Sequence, residues 1–218
     1  MSLLKGVNDM KIHALLAAGA LALGASVAGA GSAHAAYFDL GFDSLPGSEN
    51  PVPNGYGGFT WNNFYYLNGV TYGPSGYQNG VISPSNVGYN AFGAPAGFSL
   101  NTPFTLYGIF MTAAWNNGLS VTVNGYSDQA GTNLVDTTTF TIGTAGPTLE
   151  SFNWSGIEDV TFSASGGVNA GLPGNGTHIA FDEIEGSVSP VPLPAALPLF
   201  GVALAGVGFF GRRFRKTA

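Results

Sequence analysis

Between residues 37 and 189 the apolar positions fall in short runs bounded by Gly, Pro, Asn or Ser. Nowhere do they take the three-to-four spacing of an amphipathic helix. Nine runs rich in β-branched and aromatic residues read as strands: Tyr37–Asp43, Gly58–Trp61, Gly97–Leu100, Phe104–Thr112, Leu119–Tyr126, Leu134–Ile142, Leu149–Trp154, Asp159–Ala164 and Thr177–Val188. Val121 and Val123 alternate with Thr122 and Asn124, and Val160 and Phe162 with Thr161 and Ser163, the period of a half-buried strand. Asn116-Asn117-Gly118 and Asn124-Gly125 read as turns, because Asn and Gly tolerate a left-handed backbone. Pro46–Gly57 and Gly166–Gly176 read as loops, and Asn68–Ala96 fits neither pattern. Many short strands with frequent turn signals predict an all-β domain, a β-sandwich of jelly-roll type.

The two ends follow different rules. From Met10 a short basic region with Lys11 leads into the uncharged stretch Ala14–Ala30, and then Ala33 and Ala35 supply the small residues of a cleavage site. That order of basic, apolar and small-residue regions predicts a secretory signal peptide over 1–35, handled by the secretion machinery and signal peptidase. At the other end Val191 to Gly211 is 21 residues without a charge, enough to cross a bilayer as a transmembrane helix, followed by Arg212, Arg213, Arg215 and Lys216. The basic end belongs on the cytoplasmic side, which places the preceding residues outside. The chain therefore divides into a signal at 1–35, a β-domain at 36–189 and a tail at 190–218.

Val191-Pro192-Leu193-Pro194-Ala195, a short apolar span and an Arg-rich end together resemble the VPLPA form of the PEP-CTERM sorting signal. Proteins with this tail are substrates of exosortase-type membrane proteases in Gram-negative bacteria that make extracellular polysaccharide. The resemblance implies an inner-membrane intermediate whose tail is removed near the Pro-rich motif, leaving the protein on the cell surface or outside the cell.

Charge narrows the partners of the middle domain. All six Lys and Arg lie in the terminal segments, whereas eleven of the twelve acids lie between Tyr37 and Ser189, a formal charge of −11. A surface without a basic side chain does not grip phosphate backbones, so nucleic acid is excluded as a partner. The 24 aromatic residues in the same stretch oppose a disordered reading. The chain has no Cys, which removes thiolate chemistry.

Candidate chemistry is sparse, and no catalytic residue is assigned. The middle domain has one histidine, His178, expected as a strand residue paired with a carboxylate, and no Ser sits in a nucleophile-elbow motif. Glu150, Glu158, Asp159, Asp182, Glu183 and Glu185 leave a carboxylate-based glycan hydrolase open as an alternative. Strand alternation over Thr177–Val188 puts Asp182 on a face with Ala180, Ile184 and Val188, and a carboxylate among apolar neighbours needs a partner. The early Phe42-Asp43 and late Phe181-Asp182, within this strand pattern, resemble carbohydrate-binding-like jelly-roll domains of secreted bacterial proteins. In those, acids of the first and last strands hold structural calcium. The resemblance makes Asp43 and Asp182 the calcium candidates. Trp61, Tyr65, Tyr66 and Trp115, set among Asn residues, are the candidate platforms for neutral sugar rings, whose C–H faces stack on aromatics. The functional expectation is an exported, non-catalytic surface or matrix protein binding extracellular polysaccharide, with a purely structural matrix role as the other alternative.

Overall fold

The computed structural model describes residues 34–47 and 49–189. The sorting motif Val191–Ala195, the expected transmembrane segment, the basic end and most of the signal, Ala33 included, lie outside the described residues. Among the described residues no helix is long and apolar enough to cross a membrane.

Ten strands carry the domain: β1 (Ala36–Leu40), β2 (Asn50–Pro51), β3 (Thr60–Asn62), β4 (Phe64–Asn68), β5 (Asn86–Asn90), β6 (Ala96–Ala113), β7 (Asn116–Tyr126), β8 (Leu134–Ile142), β9 (Thr148–Asn169) and β10 (Ile179–Val188). One short helix, α1 (Gly76–Asn79), is capped by Ser75 Oγ, which accepts from the Gln78 N–H at 3.2 Å. The all-β expectation is met. The two separate sheets of a sandwich are not found, because hydrogen bonds join all ten strands into one antiparallel sheet. Its order is β2-β4-β5-β10-β6-β9-β7-β8, with β1 on β10 and β3 on β6. Ala36 of β1 stands opposite Val188 of β10, so strands from opposite ends of the domain lie side by side.

The sheet folds back on itself. Phe64 of β4 and Phe162 of β9 are four strands apart in the ladder, which a flat sheet would hold roughly 19 Å apart. Their ring centroids are 5.9 Å apart. The fold is made at β3 and β4, separated only by Asn63. β3 pairs with β6, and β4 pairs with β5. Asn63 turns the corner with φ 52°, and its Nδ2 donates to the Ala91 and Pro95 carbonyls at 3.0 Å each. Long bulges let β6 and β9 continue through bends where the sequence predicts separate strands. The register shifts at Leu100–Pro103 and again near Asn153 and Gly156, both with positive φ.

Inside the fold, Phe59, Phe64, Phe98, Phe104, Phe162 and Phe181 are almost completely buried and contact one another edge-on or tilted. Each such ring contributes on the order of 2–3 kcal/mol by leaving water. A second, smaller cluster on the other side of β5 and β10 gathers Leu67, Tyr77, Val87, Tyr89, Trp115 and Ala180. Two sequence expectations change. Asn116–Gly118 and Asn124-Gly125 are not turns but lie inside β7, and a side chain at Gly125 would press on Trp154. The reversal comes later, at residues 127–133.

Candidate functional site

The alternation expected for β10 breaks at one residue. Glu183 has φ 47°, and the pairing with β6 shifts register between Asp182 and Glu185. Before this bulge Ile179 and Phe181 enter the main core; after it, Ile184 does. Asp182 therefore does not share a face with Ile184 as the simple period predicted. A bulge also re-aims the side chain at its centre. Here Glu183 lines a cleft of about 280 Å³ with Asp39, Asp43, Ser44, Tyr56 and Ser83. Phe42, fully buried beside this cleft, is a second non-glycine residue with positive φ, at 62°. Backbone in this region is costly and collects where surrounding structure has a use for it.

Asp182 sits behind the cleft, 0 % exposed. Its Oδ2 accepts from the backbone N–H groups of Ile82 at 2.7 Å and Ser83 at 3.1 Å, and its Oδ1 from the Glu183 N–H at 3.0 Å. Burial pushes its pKa up to about 7 in spite of those donors, which work the other way. Asp39, opposite Glu185 in the β1–β10 register, is likewise raised to about 7, by desolvation and then by a hydrogen bond to Glu183 and that group's charge. Asp43 is exposed and accepts from the Asn86 N–H at 2.8 Å. The structure thus brings Asp43 to the cleft and leaves Asp182 buried outside its lining, bonded to the lining residues Ser83 and Glu183. Among the described residues no group of three or more His, Asp or Glu side chains is arranged to hold a metal ion.

The four aromatic candidates separate. Trp61 is 7 % exposed, packs against Phe42, Phe64 and Phe98, and donates Nε1–H to the Tyr56 carbonyl at 3.0 Å. Tyr66 is also buried, its hydroxyl donating to the Pro46 carbonyl at 2.6 Å. Both are core, and neither offers a face to a sugar. Tyr65 is half-buried between Tyr89 and Phe92. Trp115 is 9 % exposed, yet it borders a cleft of about 370 Å³ with Tyr72, Pro74 and Pro173. The loop at Gly174 lies so close to its ring that a Cβ there would stand 2.4 Å from Cε2. Tyr72, 42 % exposed, completes the cleft, with its ring centroid 6.4 Å from that of Trp115.

His178 does not pair with a carboxylate as expected. Its ring lies against Tyr89, burial lowers its pKa, and Glu49 accepts instead from the Tyr89 hydroxyl at 2.5 Å. Sequence reasoning also missed Phe92, which is 82 % exposed with φ 60° and lies in the segment that fitted neither pattern. Asp39 was missed as well, since nothing in its own strand points to Glu183.

No family model matches the chain, and no curated protein sequence matches it. Among solved structures the chain is similar to the K2 cleaved adhesin domain of Lys-gingipain, at 15 % identity and a TM-score of 0.41, over 69 % of this chain and 99 % of that one. It is also similar to the K1 cleaved adhesin domain of Lys-gingipain from Porphyromonas gingivalis W83, at 16 % identity and a TM-score of 0.39, over 70 % of this chain and 98 % of that one.

Proposed function

We propose that the chain is an exported, non-catalytic protein of the cell surface or extracellular matrix whose β-domain binds neutral carbohydrate. The observation that carries this reading is the cleft between Tyr72 and Trp115. It presents aromatic rings and prolines without a charged side chain in its lining, and the domain around it has no Lys or Arg. Aromatic faces receive the C–H surfaces of sugar rings, whereas the acidic domain repels polyanions. Affinity electrophoresis of the full chain in detergent, through gels containing dextran, mannan or xylan, tests it. Retardation by at least one neutral polysaccharide, reduced by Tyr72→Ala, is expected; migration unchanged in all three overturns the reading and leaves the purely structural matrix role.

Export rests on the two terminal signals. Signal peptidase cleaves after Ala35, and an exosortase-type protease removes the tail near Val191–Ala195. A secreted form that begins at Ala36 and lacks the mass of the tail is the expected result; a full-length surface form contradicts it.

The acidic cleft supports two subordinate readings. Structural calcium at Asp43 and Asp182 predicts a melting temperature that drops on chelation. A glycan hydrolase is favoured by one observation, the placement of Asp39 and Glu183 on one cleft, with desolvation raising the Asp39 carboxyl to about 7. It predicts sugar release from matrix polysaccharide that Glu183→Gln abolishes.

A further inference from the structure

The outer face of the sheet where β3, β6, β9 and β7 lie side by side carries a second concave surface, far richer in polar groups than the aromatic cleft. Hydrogen-bond register sets its rows. Thr60 stands opposite Ser99, Ser99 opposite Asp159, and Asp159 opposite Tyr126, giving one line of side chains across four strands. The next row runs Asn62, Gly97, Thr161. Gly97 has no side chain to fill the middle, and none fits, because a Cβ there would stand 2.6 Å from the Val160 carbonyl oxygen. The result is a trough of about 290 Å³, walled at one end by Gln129–Gly131, near the lower end of small-molecule sites. That wall is fixed from below by Asp128, whose carboxylate accepts from the N–H groups of Ala130, Thr132 and Asn133.

The trough concentrates unused hydrogen-bonding capacity. Several polar side chains elsewhere on the domain are consumed by the fold. Asn63 holds the corner, Asn86 and Asn90 tie loops to strands, and on the neighbouring β7–β8 face Thr122 pairs with Thr139 and Asn124 with Thr137. In the trough, the side chains of Thr60, Asn62, Ser99, Tyr126 and Thr161 make no hydrogen bond to any described residue. Amide and hydroxyl groups donate and accept alike, Asp159 accepts only, and nothing in the lining is basic. This complements a ligand rich in hydroxyls and free of negative charge.

We infer that this trough is a binding site for a neutral glycan laid across β3, β6, β9 and β7, with Asn62 and Asp159 bonding its hydroxyls and the Tyr126 ring flanking a sugar. The inference rests on the carbohydrate reading but places a separate site on a different face. Two of its groups lie where single substitutions are mild, since Asn62 is exposed and Asp159 half-exposed.

Affinity electrophoresis of the full chain in detergent, through gels containing dextran, mannan, xylan or the polyanion alginate, tests it with Asn62→Ala, Asp159→Asn, Tyr126→Ala and Tyr72→Ala. The expected result is retardation by a neutral polysaccharide that weakens about tenfold in Asn62→Ala and Asp159→Asn, as loss of a hydrogen bond to a bound hydroxyl requires. Melting temperatures of those two variants do not fall below the wild-type value, Asp159→Asn relieving the desolvated carboxylate, so the result does not depend on whether Tyr126→Ala folds. Retardation lost in Tyr72→Ala and intact in Asn62→Ala and Asp159→Asn overturns the trough and leaves the aromatic cleft as the site. No retardation of the wild type by any neutral polysaccharide overturns both. Retardation by alginate alone overturns the neutral-ligand assignment.

Discussion

Asp128 and Asp182 are held by nearly the same chemistry and respond in opposite directions. Each carboxylate accepts three backbone N–H groups, from Ala130, Thr132 and Asn133 in one case and from Ile82, Ser83 and Glu183 in the other. Each also faces one hydroxyl, Thr132 at 3.1 Å and Ser83 at 3.4 Å. Those donors, led by the Thr132 N–H, hold the Asp128 carboxyl below its ordinary range on the surface. Behind the acidic cleft the same number of donors leaves Asp182 raised to about 7, because removal from water outweighs them. Backbone donors alone suffice for a carboxylate that keeps its solvent. A buried one needs a cation as well, and this domain contains no Lys or Arg to provide it.

The sharpest way to break the comparison is to delete both carboxylates in turn. Asp182→Ala strands the Ile82 and Ser83 N–H groups and leaves a void, so a loss of about 2–4 kcal/mol is expected in urea unfolding. Asp182→Asn keeps an acceptor and costs less. The next effect is on pH. Asp182 and Asp39 are raised to about 7 and Asp159 to about 6, so between pH 4 and 7 the folded state binds more protons than the unfolded chain. Stability then falls as pH rises through that window, and the melting temperature is higher at pH 5 than at pH 7.5. Asp182→Asn reduces the difference; a melting temperature that rises with pH would contradict the assignment. Smallest is Asp128→Ala, whose effect stays local: faster proteolysis within 128–133 and a melting temperature lowered less than in Asp182→Ala. Equal losses in the two alanine variants would mean that burial is not what separates the sites.

The strand pattern was legible where one face meets solvent. β7 covers the predicted Leu119–Tyr126, because its buried Leu119, Val121 and Val123 alternate with the half-exposed Ser120, Thr122 and Asn124. β4 and β5 escaped because they lie between the two core clusters. Every residue of Asn86–Asn90 is buried, so no alternation marks the strand. Asp182 was legible as an acid in need of a partner, but the face shared with Ile184 that suggested this is undone by the bulge at Glu183. Glu183 and Asp39 were not, because their meeting depends on a single left-handed residue that reverses the faces of β10. Trp61 and Tyr66 were misjudged for a related reason. An aromatic-rich run next to Asn looks alike whether it lines a surface or a fold, and only the corner at Asn63 turns these rings inward. The trough was invisible for want of any local signal, its seven polar side chains coming from four strands and a loop.

The antiparallel match of Ala36 with Val188 has a consequence for how the domain is made. A chain that emerges N-terminus first presents β1 long before its partner exists, and the loop to be closed spans nearly the whole domain. Topologies dominated by such distant pairings fold slowly, since the entropy of closure is spent before contacts repay it. Until β10 emerges, β1 offers both of its edges and the rings of Tyr37 and Phe38 to whatever chaperone or chain is nearby. The first strand made is the last to be placed, and the interval between the two is when this domain is most exposed to misassembly.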